Sequence, residues 1–257
     1  MRSVNVLMVG DISGEAGMGA LFLSLSSLVK KTGADFVVVN GENASGGFGL
    51  TVDDYMKIRS YGADVVTSGN HIWQKSEILP QLEGDSVLLR PLNYPRGVPG
   101  HGVCTVTKNG VRYAVINAQG RTDLVIADDP FTACRGEAEK LRKQGYIVLV
   151  DFHAENAQEK EALGFYLDGI ASLVAGTHTH VQTMDEKILP GGTGYITDLG
   201  MTGVQHQVIG SRSDVAIRRQ LTQVPYKSEV AEGRGEIRGV LASIDAASGK
   251  TLSISRI

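Results

Sequence analysis

The residues best able to do chemistry in this chain are histidines, amides and carboxylates, and they recur in one kind of place. His178 and His180 stand one residue apart in Gly176-Thr177-His178-Thr179-His180, directly after the apolar run 173–175. His71 closes Ser68-Gly69-Asn70-His71 after the apolar pair Val65-Val66, and His153 follows the run 147–150. Asp11 follows the first apolar run of the chain, and Glu42 with Asn43 follows the second. In open α/β sheets functional groups gather beyond the carboxyl ends of the strands, so all these positions can reach one cleft.

Carboxylate, imidazole and amide oxygen together suit divalent iron, manganese or zinc, while the lack of a thiolate pattern argues against a soft or purely structural zinc site. A single catalytic metal needs three protein ligands. The larger set here is enough for a pair held ~3.5–4 Å apart, as two-metal phosphoesterases require. Two divalent ions carry four positive charges; Asp11 and Glu42 offset two and a bridging hydroxide one more, which leaves an excess of about one and favours a phosphate anion.

Each piece alone has a plain structural use. Asp11 can cap a turn, Asn70 can be a turn residue, and His153 can be a satisfied, half-buried imidazole. His178 and His180 carry more weight, because alternate residues of an extended segment point the same way. Recurrence at successive strand ends makes coincidence the weaker explanation. His101 and His206 follow no apolar run in this manner and read as surface or loop histidines.

The elements that must position these groups alternate. Strands are expected at 4–9, 36–39, 65–66, 147–150 and 173–175. Between them, Leu21, Leu25, Leu28 and Val29 make one helix face, and Thr51 can cap a helix carrying Tyr55, Met56 and Ile58. Helices are also expected at 73–82, 130–144 and 158–167. Asn109-Gly110 between 103–107 and 111–116 signals a tight antiparallel hairpin, hence a second or mixed sheet. The tail, 227–257, reads as antiparallel strands broken by Gly233, Gly235 and Ala247-Ser248-Gly249. With no repeat or linker, residues 1–257 read as one α/β domain.

Composition excludes several classes. At 42% hydrophobic, 21% charged and a net charge of -3, the chain has no global basic field to hold a nucleic-acid polymer. No apolar run approaches the ~20 residues of a membrane span. Cys104 and Cys134 match no metal or redox spacing and read as buried small residues, which with no secretory leader fits the cytoplasm. Gly14, Gly17 and Gly19 do not follow G-x-G-x-x-G, and no phosphate-cradling lysine loop occurs, so nucleotide-fold glycines are set aside. Residues 90–102 and the turn 128–130 can form a rim or a subunit contact, which leaves homo-oligomerisation open.

Gly69-Asn70-His71, His153 and Gly176-Thr177-His178-Thr179-His180 resemble the spaced blocks of the calcineurin-like metallophosphoesterases. The YmdB-like branch of bacterial phosphodiesterases is more similar still, through Gly10-Asp11-Ile12-Ser13-Gly14, Asn40-Gly41-Glu42-Asn43-Ala44, Thr67 to Trp73, Asp151-Phe152-His153-Ala154-Glu155 and Leu189 to Asp198. The resemblance covers most of the chain and implies two packed β-sheets flanked by helices, an α-β-β-α sandwich.

Two departures from the wider superfamily matter. Ser13 stands where a second early ligand, usually His, would be, and Glu42-Asn43 replaces a bridging Asp. The resemblance implies that Glu42 bridges two metals, one also held by Asp11, Asn43 and His180, the other by Asn70, His153 and His178. Iron is the metal the family implies, with manganese or zinc as alternatives. It further implies hydrolysis of phosphoesters, 2',3'-cyclic nucleotides among them, by a hydroxide between the metals. His71 is then assigned as general acid to the leaving oxygen. Its other reading is a histidine that orients Asn70. Competing functions are a metal-containing regulatory or scaffold protein with incidental catalysis, and a phosphomonoesterase or nuclease using the same site.

Overall fold

Strands such as Val37-Val38-Val39 are buried on both faces, so each needs a covering layer on either side. The computed structural model describes residues 2–124 and 127–257 and supplies those layers. In chain order the first elements are β1 (Ser3–Val9), α1 (Gly14–Thr32), β2 (Phe36–Asn40), α2 (Val52–Ser60), β3 (Val65–Thr67) and α3 (Leu79–Gly84). Next come β4 (Val103–Lys108), β5 (Val111–Gln119), α4 (Pro130–Lys143), β6 (Ile147–His153), α5 (Ala157–Tyr166) and β7 (Leu173–Thr177). The chain closes with β8 (Lys187–Ile188), β9 (Gly194–Ile196), α6 (Ser213–Thr222), β10 (Gly239–Asp245) and β11 (Thr251–Arg256).

One sheet has the order β11-β10-β1-β2-β3 and the other β4-β5-β6-β7-β9-β8. Strands β1, β2 and β3 are parallel, as are β5, β6, β7 and β9; β4, β8, β10 and β11 each pair antiparallel with their neighbours. Val6, Met8, Phe36 and Val38 of the first sheet face Val115, Leu149, Leu173 and Ile196 of the second in one buried cluster. Phe36 stacks on Tyr113 across this seam, with centroids 4.2 Å apart. Leu21 and Leu25 of α1 with Tyr55 and Ile58 of α2 cover the outer face of the first sheet. Cys134 and Leu141 of α4 with Leu163 of α5 cover that of the second. This is the expected α-β-β-α sandwich, and both cysteines are free and buried within it.

Thr51 caps α2 by accepting from the Asp54 amide. Asn109 (φ 52) and Gly110 (φ 75) both take left-handed backbone, so the hairpin turns in the two-residue form that matches strand twist.

Two expectations are corrected and one element is new. Residues 73–82 are not one helix: two 3-10 turns, Asn70–Gln74 and Ser76–Ile78, precede the short α3, because Lys75 is extended and Pro80 suits only the first turn of a helix. Only Gly239–Asp245 and Thr251–Arg256 of the tail are strands. Helix α6 was not anticipated; none of its residues is buried, and its apolar residues Val215, Ile217 and Leu221 line a surface hollow instead of the core.

Candidate metal centre

Every expected ligand lies at or just beyond a strand's carboxyl end. Backbone bonds stitch these loops together: Ile12 N–H donates to Asn40 O, and Gly14 N–H to Asn43 O, each at 2.9 Å. Asp11, Glu42 and His153 are fully buried, while Asn43 is almost so.

His153 sits at the centre. The Thr177 hydroxyl donates to Asp151 Oδ1 at 2.7 Å, so toward His153 Nδ1, 3.0 Å away, it acts as acceptor. That arrangement leaves His153 Nε2 to face Asn70 Oδ1 at 3.1 Å, Glu42 Oε1 at 3.1 Å and His178 Nδ1 at 3.0 Å. On the far side of His178, Nε2 meets Glu155 Oε2 at 3.1 Å, which holds the ring proton there and turns the Nδ1 lone pair inward. Three electron-rich atoms therefore stand about 3 Å from His153 Nε2, the edge length of a metal polyhedron with bonds of about 2.1 Å. Glu42, His153 and His178 form the one such group of acidic and imidazole ligands found among the described residues.

The remaining expected ligands lie alongside. His180 Nε2 is 3.8 Å from Asp11 Oδ2 and 3.2 Å from Asn43 Nδ2. Asp11 Oδ2 accepts from the His178 amide at 2.8 Å, but its buried Oδ1 has no hydrogen-bond partner. A buried, unsatisfied carboxylate oxygen is costly unless a cation meets it. His180 Nδ1 donates to Ile209 O at 2.8 Å, which frees Nε2 for ligation. Asn43 presents its NH2 rather than its oxygen to His180, because Oδ1 lies 2.7 Å from His71 Nδ1; ligation requires a half-turn of this amide. The donor set thus fits divalent cations.

The convergence of His178 and His180 has another cause than the one expected. Strand β7 ends at Thr177, and both histidines take positive φ, 98° and 66°. Such backbone in residues with a Cβ is uncommon and marks a site held by its surroundings. The hold here is Asp198, which accepts from the Thr179 amide and hydroxyl and pairs with Lys160 at 2.7 Å, both charges fully buried. Asp151, Thr177, Asp198, Lys160 and Glu155 were not singled out from sequence. Asp151, Glu155, Thr177 and Asp198 lie within the blocks that carry the resemblance, and Asp151, two residues before His153 on β6, also faces the same way as that histidine.

Charge is finely divided. Burial raises the Asp11 pKa to about 7, against His153 and His180. Burial opposes charge on His153, yet Glu42 and Asp11 push its pKa up to about 9; the same contact outweighs burial at Glu42 and holds it well below the usual range. Burial and repulsion from His153 lower His178 to about 3. Protons thus balance the carboxylates when no cation does. Metal loading near pH 7 is expected to release roughly one to two protons per chain, read by calorimetry in buffers of different ionisation heat. Loading without proton release would remove His153 from the ligand set.

Gly69 has no room for a side chain, because a methyl group there would overlap the His153 ring and a Glu42 oxygen. Gly69→Ala is expected to destabilise the fold by about 1–3 kcal/mol in denaturant unfolding and to abolish metal retention.

A family profile described as YmdB-like protein matches residues 7–257. The chain belongs to the YmdB-like family. It is 43% identical to the 2',3'-cyclic-nucleotide 2'-phosphodiesterase of Bacillus subtilis (strain 168), over 99% of this chain and 96% of that one. A crystal structure of a hypothetical protein from Thermus thermophilus matches with TM-score 0.91 at 38% identity, covering 99% of this chain and 98% of the other. That of a novel phosphatase from Mycoplasma pneumoniae matches with TM-score 0.94 at 30% identity, covering 100% and 93%.

Proposed function

We propose that this YmdB-like protein is a metal-dependent phosphodiesterase acting on 2',3'-cyclic nucleotides. The observation that carries the reading is the convergence of Glu42, Asn70, His153 and His178 on one point beside an unsatisfied Asp11 oxygen. The identity to a cyclic-nucleotide phosphodiesterase across nearly the whole chain supports the substrate class.

In this reading Asp11, Glu42, Asn43 and His180 hold one divalent cation, and Glu42, Asn70, His153 and His178 hold a second, with iron preferred over manganese or zinc. Bound cations supply Lewis acidity and a nucleophile usable near neutral pH. The chain's own residues do the rest. Asp151 and Glu155 hold the proton positions of His153 and His178 so that both rings offer lone pairs. With its amide turned so that the oxygen could hold a cation, Asn43 would point its NH2 at His71 Nδ1 and so would leave the ring proton on Nε2. His71 lines the cleft of about 330 Å³ above the ligands and donates that proton to the leaving oxygen.

No described helix is long and apolar enough to cross a membrane, and with two free buried cysteines a cytoplasmic, single-domain enzyme is the consistent reading. The test is hydrolysis of 2',3'-cAMP and bis(p-nitrophenyl) phosphate by protein reconstituted with Fe(II), Mn(II) or Zn(II), with a chelator control. Chelator-sensitive turnover of the cyclic nucleotide is the expected result. No turnover of any phosphoester would favour the scaffold reading; turnover of monoesters alone would favour a phosphomonoesterase.

A further inference from the structure

The segment between β9 and β10 builds one wall of the cleft from α6 and the turns beside it. It carries three arginines close together. Arg212 is tied to Asp214 and Glu229, each at 2.7 Å, and Arg218 lies over the Tyr226 ring at 4.0 Å. Arg219 has no side-chain hydrogen bond or ion pair among the described residues, yet it lines the cleft that holds His71, His178 and His180. A second hollow, of about 380 Å³, adjoins this cleft and shares Ile209, Ser211, Arg219 and Ser228 with it. Its remaining walls are mostly apolar and include Val215, Ile217 and Leu221. Arg219 therefore stands at the junction of a metal-binding cleft and an apolar groove.

Charge decides what this guanidinium is for. Among the ligands themselves, two divalent cations less Asp11 and Glu42 leave two positive charges, which match the two negative charges of a phosphodiester and an attacking hydroxide; Glu155, the other carboxylate lining the cleft, is held on His178 at 3.1 Å. The reacting phosphate needs no further cation. A free guanidinium beside it suits a second anionic group on the same substrate, and Arg pairs with phosphate oxygens in a two-pronged geometry.

We infer that the enzyme takes short ribonucleotides, at least dinucleotides, that end in a 2',3'-cyclic phosphate. Arg219 grips the internucleotide phosphate next to the terminal nucleoside, and the preceding base rests in the groove of Ile217 and Leu221. This deepens the phosphodiesterase reading and rests on it. The net charge of -3 supplies no basic field to hold a longer strand by its phosphates.

The test compares adenosine 2',3'-cyclic phosphate with ApA ending in a 2',3'-cyclic phosphate, on metal-loaded wild type, Arg219→Ala, Arg219→Lys and Ile217→Asp. One charge-assisted contact at an exposed site should give the dinucleotide about a tenfold advantage in kcat/KM, carried by KM. Arg219→Ala should erase that advantage with kcat within about twofold and the mononucleotide unaffected; Arg219→Lys should restore part of it. Ile217→Asp should weaken only the dinucleotide. A second readout is calorimetric affinity for adenosine 3'-monophosphate against ApA 3'-phosphate, which needs no turnover. If neither cyclic substrate is hydrolysed, the phosphodiesterase reading fails, while the calorimetry still judges Arg219. Equal treatment of the two chain lengths by wild type, or a fall in kcat on both with Arg219→Ala, would overturn the inference.

Discussion

Replacing Glu42 with glutamine is expected to reduce retained metal to a small fraction of wild type and turnover of 2',3'-cAMP by at least about a thousandfold. The side chain is fully buried and has almost the same shape as its replacement, so the change removes charge and little else. Glu42 Oε1 is 3.1 Å from His153 Nε2, and Oε2 accepts from the His71 amide at 3.2 Å. A neutral amide there loses the attraction for both cations and places a donor among lone pairs. Metal analysis after dialysis, alongside kcat, checks both halves. Retained metal with turnover within tenfold of wild type would show that Glu42 does not bridge.

His71→Ala should behave differently: kcat falls about 10²–10⁴-fold while metal content stays near wild type. The ring belongs to the cleft wall, with its side chain 23% exposed and Phe48 edge-on at 5.1 Å, and its nearest polar neighbours are Asn43 Oδ1 and Glu42 Oε1. Loss of the ring therefore leaves the convergence around His153 intact. An ester with a good leaving group, such as bis(p-nitrophenyl) phosphate, should suffer much less than the cyclic nucleotide, because its leaving oxygen needs no proton. Should the variant lose its metal, His71 is a residue that orients Asn43 or Asn70, and the acid assignment falls.

The strand-end rule made the site legible. Asp11, Glu42, Asn43, Asn70, His71, His153, His178 and His180 all follow apolar runs, and parallel strands bring their carboxyl ends to one rim. What escaped notice were groups whose role depends on contacts distant in sequence. Lys160 sits between Glu159 and Glu161 on α5 and reads as a solvated helix face until Asp198 meets it beneath β7. Helix α6 escaped for the opposite reason, since its apolar residues face a surface hollow and none is buried in the core. His178 and His180 were expected to converge through strand alternation, and a left-handed turn does it instead. Residue type was readable there, but backbone conformation, which Asp198 imposes from outside the segment, was not.

The proposed ligands come from both halves of the sandwich: Asp11, Glu42 and Asn70 follow strands of one sheet, while His153 and His178 belong to the other. A cation seated among them would act as a clasp closing two covers. Heat resistance should accordingly climb with the free-ion level of the surroundings, by the ordinary mass action of a ligand that prefers the closed form. Two preparations of identical sequence can then melt at different temperatures for no reason but their mineral content.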